Sequence, residues 1–120
     1  MKGNYWLWLL TIIYALLLFF LSIKSSLPIK NSFSYQDKFF HFLAYFILGI
    51  LVFKACNRSF SSLSLFQIGL ITVFVCTFYG IFNEIAQTFV PNRQPSFFDA
   101  LANSLGGLLA SIWSGKWLLK

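Results

Sequence analysis

Acidic side chains are scarce in this chain, with 3 Asp and Glu among 120 residues, against 9 Lys and Arg and 1 His. Charged positions of both signs make up only 10%, while 58% are hydrophobic and the mean hydropathy is +0.76. A water-soluble fold of this size leaves much of its area in solvent and needs more polar surface than that, so an ordinary soluble domain is excluded. Two cysteines, Cys56 and Cys76, are too few for a disulfide scaffold and lack metal-ligand spacing. Cys56 lies at the expected edge of a loop and Cys76 about mid-span, at depths too different for a bridge, so both are expected to be unpaired. A single histidine permits no H-x-x-x-H pair, and no metal or cofactor is expected. The net charge of +6 comes from Lys and Arg set singly at the ends of apolar runs. With no basic stripe to neutralise a row of phosphates, nucleic-acid binding is excluded.

What the chain has is long apolar runs. Four are long enough to cross roughly 30 Å of hydrocarbon: residues 5–23, 39–55, 65–90 and 97–113. Sixteen Phe and four Trp suit packing against lipid and its interfaces. The first run follows Lys2 but exceeds a usual signal-peptide h-region and has no A-x-A-like cleavage site, so it is read as a retained span. The connecting segments carry the breakers: Pro28 among serines, Asn57 and Arg58 among four serines, and the pair Pro91 and Pro95. The expected fold is all-α, a polytopic bundle of four transmembrane helices, forming one domain over residues 1–120. Ser34 with Asp37, and Ser96 with Asp99, have capping-box spacing at the starts of the second and fourth helices. Four spans put both termini on one side with Lys54 and Arg58, five basic residues in all, against four on the other. The positive-inside rule then places the termini in the cytoplasm.

All three acids and the histidine fall in short polar clusters within this apolar sequence. Ionisable groups are costly in lipid, so such clusters point to a site. Asp37, His41 and Tyr45 stack at i, i+4, i+8 on one helix face, with Lys38 beside them. Glu84 and Gln87 share a face near the end of the third run. Arg93 precedes Asp99 and Asn103, which are one turn apart on the fourth. The clusters should meet at one depth. Gly80, Gly106, Gly107 and Ala110 read as packing residues that let the helices approach closely.

These residues carry a family pattern. It runs Asp37-Lys38-x-x-His41-Phe42-x-x-Tyr45-x-x-Leu48-Gly49, then Tyr79-Gly80-x-x-x-Glu84-x-x-Gln87-x-Phe89-x-Pro91-x-Arg93, then Ser96-x-x-Asp99-x-x-Ala102-Asn103-x-x-Gly106. In this the chain resembles the VanZ-like family of small bacterial membrane proteins, over about its last two-thirds. Asn92 stands where that family often has Gly, and Asn83 where an acid is common. The resemblance implies a four-helix protein of the bacterial cytoplasmic membrane and an association with teicoplanin resistance.

Three functions fit these residues. The leading expectation is an outward-facing polar pocket that binds a cell-envelope amphiphile, either a lipid-linked precursor or a lipophilic glycopeptide. Its ligand-binding residues would be Asp37, Lys38, His41, Tyr45, Glu84, Gln87, Arg93, Asp99 and Asn103. The second is a membrane-surface hydrolase or transferase with His41 as acid or base, oriented by Glu84 or Asp99. The third is a structural or assembly protein whose polar groups only fasten helices. Membrane lipids are the expected partners whichever reading holds.

Overall fold

The computed structural model describes residues 5–23, 36–90 and 97–118, and these are helical apart from the turns after residues 59 and 87. Four helices follow in order: α1 (Tyr5–Ile23), α2 (Gln36–Ser59), α3 (Leu65–Gln87) and α4 (Phe97–Leu118). The all-α four-helix expectation holds. Among the described residues α1, the Phe39–Ser59 part of α2, and α3 are long and apolar enough to cross a membrane. With 22 residues, α4 matches them in length. Its composition is less apolar because Asp99, Asn103 and a series of Gly and Ser residues serve its inward contacts.

Helix boundaries differ from expectation at three places. Asn57, Arg58 and Ser59 do not break α2, which continues to Ser59 and closes with Phe60 N donating to Cys56 O at 2.9 Å. Cys56 is therefore inside a helix and buried, not at a loop edge. Both cysteines are free, as expected. α3 stops at Gln87, where Thr88 N and Oγ1 both turn back to Ile85 O, at 3.0 and 2.6 Å. α4 runs on to Leu118. A capping box that the sequence pattern did not bring forward opens α3. Ser64 Oγ accepts from Gln67 N at 3.1 Å, while Ser64 N donates to Gln67 Oε1 at 2.9 Å. Ser34 and Ser96 lie outside the described residues.

The bundle is apolar outside and mixed inside. α1 exposes Leu9, Ile12, Ile13 and Leu16, and α3 exposes Phe66, Phe74 and Phe78. In water a continuous apolar face of this kind would aggregate, whereas lipid satisfies it. The buried residues include the apolar Leu48, Phe53 and Ile68 and also the polar Thr72, Asn83, Glu84, Asp99 and Asn103. Thr72 Oγ1 turns back on its own helix, donating to Ile68 O at 2.9 Å, whereas Ser111 Oγ lies between Gly107 O of α4 at 3.0 Å and Gly69 O of α3 at 3.2 Å.

Helix order follows from small residues and long-range hydrogen bonds. A Cβ at Gly106 would meet Phe42 O at 2.5 Å and Phe46 N at 2.9 Å, while one at Gly49 would meet Ala110 Cβ at 2.6 Å. These contacts advance together along both helices, so α2 and α4 are parallel, and they form the most extensive helix pair. One at Gly107 would meet Cys76 Cβ at 2.6 Å, and one at Gly80 would meet Asn103 Nδ2 at 2.9 Å. This register runs in opposite directions, so α3 is antiparallel to α4. Adjacent glycines thus serve different neighbours, and α4 rests in the notch between α2 and α3. α1 lies across the other side of that pair and, among the described residues, does not pack on α4. It is held by aromatic donors. Trp8 Nε1 bonds Ser59 Oγ at 2.7 Å, Tyr14 OH bonds Ala44 O at 2.8 Å, and Tyr79 OH of α3 bonds Ala15 O.

Candidate functional site

With α2 and α4 parallel and α3 antiparallel, the start of α2, the start of α4 and the end of α3 share one end of the bundle. His41 sits in the second turn of α2, Asp99 in the first turn of α4 and Glu84 in the last turn of α3. One ligand-type atom from each of these residues falls within 4.8 Å of the other two. Glu84 and Asp99 are buried, at 7% and 4% exposure. The positive end of α4 favours a carboxylate at Asp99. Glu84 sits at the negative end of α3.

Asn103 orients the histidine. Its Oδ1 lies 3.2 Å from His41 Nδ1, and its Nδ2 faces the backbone notch at Gly80. An amide oxygen only accepts, so this contact is a hydrogen bond when Nδ1 carries the proton. In the neutral ring the lone pair then belongs to Nε2, which lies 3.7 Å from Asp99 Oδ2. One turn deeper, Tyr45 is buried and its hydroxyl accepts from Asn83 Nδ2 at 2.6 Å. Asn83 Oδ1, also buried, has no hydrogen-bond partner among the described residues.

A cleft of about 240 Å³ opens beside these groups. Its polar floor is formed by His41, Tyr45, Asn83, Glu84 and Asn103, and Leu18, Leu21, Phe40 and Ala44 make an apolar side. α1 supplies Leu18, Leu21 and Ser22, and Ser22 Oγ is already engaged in donating to Phe19 O at 2.9 Å.

Of the residues singled out from the sequence, the structure brings together His41, Tyr45, Glu84, Asp99 and Asn103. Gln87 is buried one turn beyond Glu84, at the last position of α3. The side chains of Asp37 and Lys38, and the whole of Arg93, lie outside the described residues. Sequence reasoning assigned Asn83 no role beyond a departure from the family pattern, yet it bonds Tyr45 and lines the cleft. The available signal was an amide in an otherwise apolar helix, where a polar side chain needs a reason. The α1 side of the cleft left no signal, because Leu18 and Leu21 look like any lipid-facing residues.

Neither a curated protein nor a solved structure matches the chain. The VanZ/LLP1 family matches it over residues 5–117, a range that takes in all three polar clusters and the helices that bring His41, Glu84 and Asp99 together, and the chain belongs to that family.

Proposed function

We propose that this protein binds the polar head of a cell-envelope amphiphile in the cleft beside His41, with the ligand's tail lying against the apolar helix faces. The reading is carried by one cleft joining a polar floor to an apolar side formed by Leu18, Leu21 and Phe40. A volume of about 240 Å³ is below the roughly 300–1,000 Å³ of pockets that enclose drug-sized ligands. A lipid headgroup fits that space better than a whole lipoglycopeptide. Any contribution to glycopeptide tolerance would then act through a lipid-linked precursor, with the drug itself left unbound. The cleft faces outward across the bacterial cytoplasmic membrane, with both termini in the cytoplasm. Native mass spectrometry of the protein with envelope lipids tests the reading. Retention of one headgroup class, lost in Asn83→Leu, is expected, and indifference to every headgroup would end it.

A second reading is favoured by the histidine's geometry. With Nδ1 engaged by Asn103, Nε2 is positioned as a general base or acid for a hydrolase or transferase acting on a lipid-linked substrate. Among the described residues the cleft wall holds one hydroxyl besides Tyr45, that of Ser22, so water or a substrate hydroxyl would be the nucleophile. Turnover of a labelled lipid, abolished in a folded His41→Ala protein, would favour this reading over binding alone.

A further inference from the structure

We infer that His41, Glu84 and Asp99 form a binding site for one divalent cation of the Zn²⁺ or Mn²⁺ type. Nothing in the residue spacing leads to it, since the three residues come from three helices and share no ligand motif. The fold supplies what spacing could not: one nitrogen and two carboxylates whose donor atoms lie within 4.8 Å of one another. Bonds of about 2.0–2.2 Å to a tetrahedral ion set donor atoms roughly 3.4 Å apart. The 3.7 Å between His41 Nε2 and Asp99 Oδ2 is close to that already. One imidazole with two carboxylates is a borderline-to-hard donor set, which suits Zn²⁺ or Mn²⁺ better than Cu⁺.

Two further observations point the same way. Histidines that bind metal usually give their other ring N–H to an oxygen acceptor, which fixes the tautomer. Asn103 Oδ1 is placed to do this for His41 Nδ1, and Asn103 is itself 1% exposed and held against Gly80. The second is Asn83, whose Oδ1 is buried without a partner among the described residues and lines the same cleft. An amide oxygen there is suited to accept from a water on the ion. Three protein ligands leave at least one coordination position open toward the cleft, as in sites that take a water or a substrate oxygen. The charge of the ion would also offset the unfavourable end of α3 at Glu84.

The test uses the full chain in detergent micelles, purified on a histidine-free tag, stripped with chelator and titrated with Zn²⁺ or Mn²⁺ alone. Bound metal is expected at about one ion per chain, with affinity roughly tenfold or more weaker in Glu84→Gln and Asp99→Asn. Absence of binding at millimolar metal, or unchanged affinity in both variants, would overturn the site. Should the variants fail to fold, the unmodified chain still decides, because it has a single histidine. Pulsed EPR of bound Mn²⁺ is expected to show coupling to one imidazole nitrogen, and an ion without nitrogen coupling would refute the assignment. No lipid enters the experiment, so its failure would leave the amphiphile reading standing.

Discussion

Asn103 on α4 holds His41 on α2, with its Oδ1 3.2 Å from His41 Nδ1, while Gly80 on α3 leaves the space its amide occupies. Three helices are thereby keyed by one side chain. Interhelical hydrogen bonds in membrane bundles contribute modestly, so Asn103→Ala should lower stability by about 0.6–1.7 kcal/mol in reversible unfolding from detergent. Asn103→Leu fills the same volume but gives up the hydrogen bond. A loss no greater than that of a surface substitution would show that the contact contributes nothing.

Gly106 has no room for a methyl group. A Cβ there would meet Phe42 O at 2.5 Å and Phe46 N at 2.9 Å, both backbone atoms that no rotamer change can move. Gly106→Ala should therefore separate α2 from α4 and cost about 1–3 kcal/mol. Gly115 is the internal control, because a Cβ added there would meet nothing within 4 Å among the described residues. Gly115→Ala should leave stability unchanged or raise it by up to about 1 kcal/mol through helix propensity.

Gly107 differs from its neighbour in what it faces. A Cβ there would meet the side chain of Cys76, with Cβ at 2.6 Å and Sγ at 3.0 Å, so the conflict can be relieved from the other helix. Gly107→Ala should destabilise the bundle, and adding Cys76→Gly should recover part of the loss. Additive effects of the two substitutions in a double-mutant cycle would argue against this contact.

The buried pair of Tyr45 and Asn83 predicts a compensating effect. Removing the hydroxyl in Tyr45→Phe leaves Asn83 Nδ2 without its 2.6 Å acceptor, at a cost of about 1–3 kcal/mol. Asn83→Leu with Tyr45→Phe, which removes both polar partners, should be less destabilising than Tyr45→Phe alone. Thermal unfolding of the three proteins gives the comparison.

Sidedness can be tested from the opposite end of the bundle. Cys56 and Cys76 are buried, which leaves the native chain a quiet background for thiol labelling. Ser62 is exposed in the turn between α2 and α3. With cytoplasmic termini, Ser62→Cys should resist a membrane-impermeant maleimide in intact cells and react after lysis. Reaction in intact cells would reverse the orientation.

Much of the fold is legible along the chain because lipid imposes a local rule: each spanning segment must satisfy its own backbone. The apolar runs mark the four helices, and the glycines at 80, 106 and 107 mark where they approach closely. Boundaries are less legible. Asn57, Arg58 and Ser59 look like loop residues, yet they fit a helix that has reached the aqueous edge, where polar side chains cost little. Asn83 is hard to weigh for a related reason: its worth depends on Tyr45, which is 38 residues away and on another helix.

Composition and order along the chain are enough to make this a helical membrane protein with its acids and histidine gathered at the ends of apolar segments. That follows from the cost of charge in hydrocarbon, which acts on each segment separately. The packing of one helix on another was needed to place α4 between α2 and α3, to set Asn103 against His41, and to close the cleft with α1 from the far side. Those outcomes depend on which helix faces meet. Side-chain volumes fix that across helices, at Gly106 against the α2 backbone and Gly107 against Cys76, and no spacing within one segment records it.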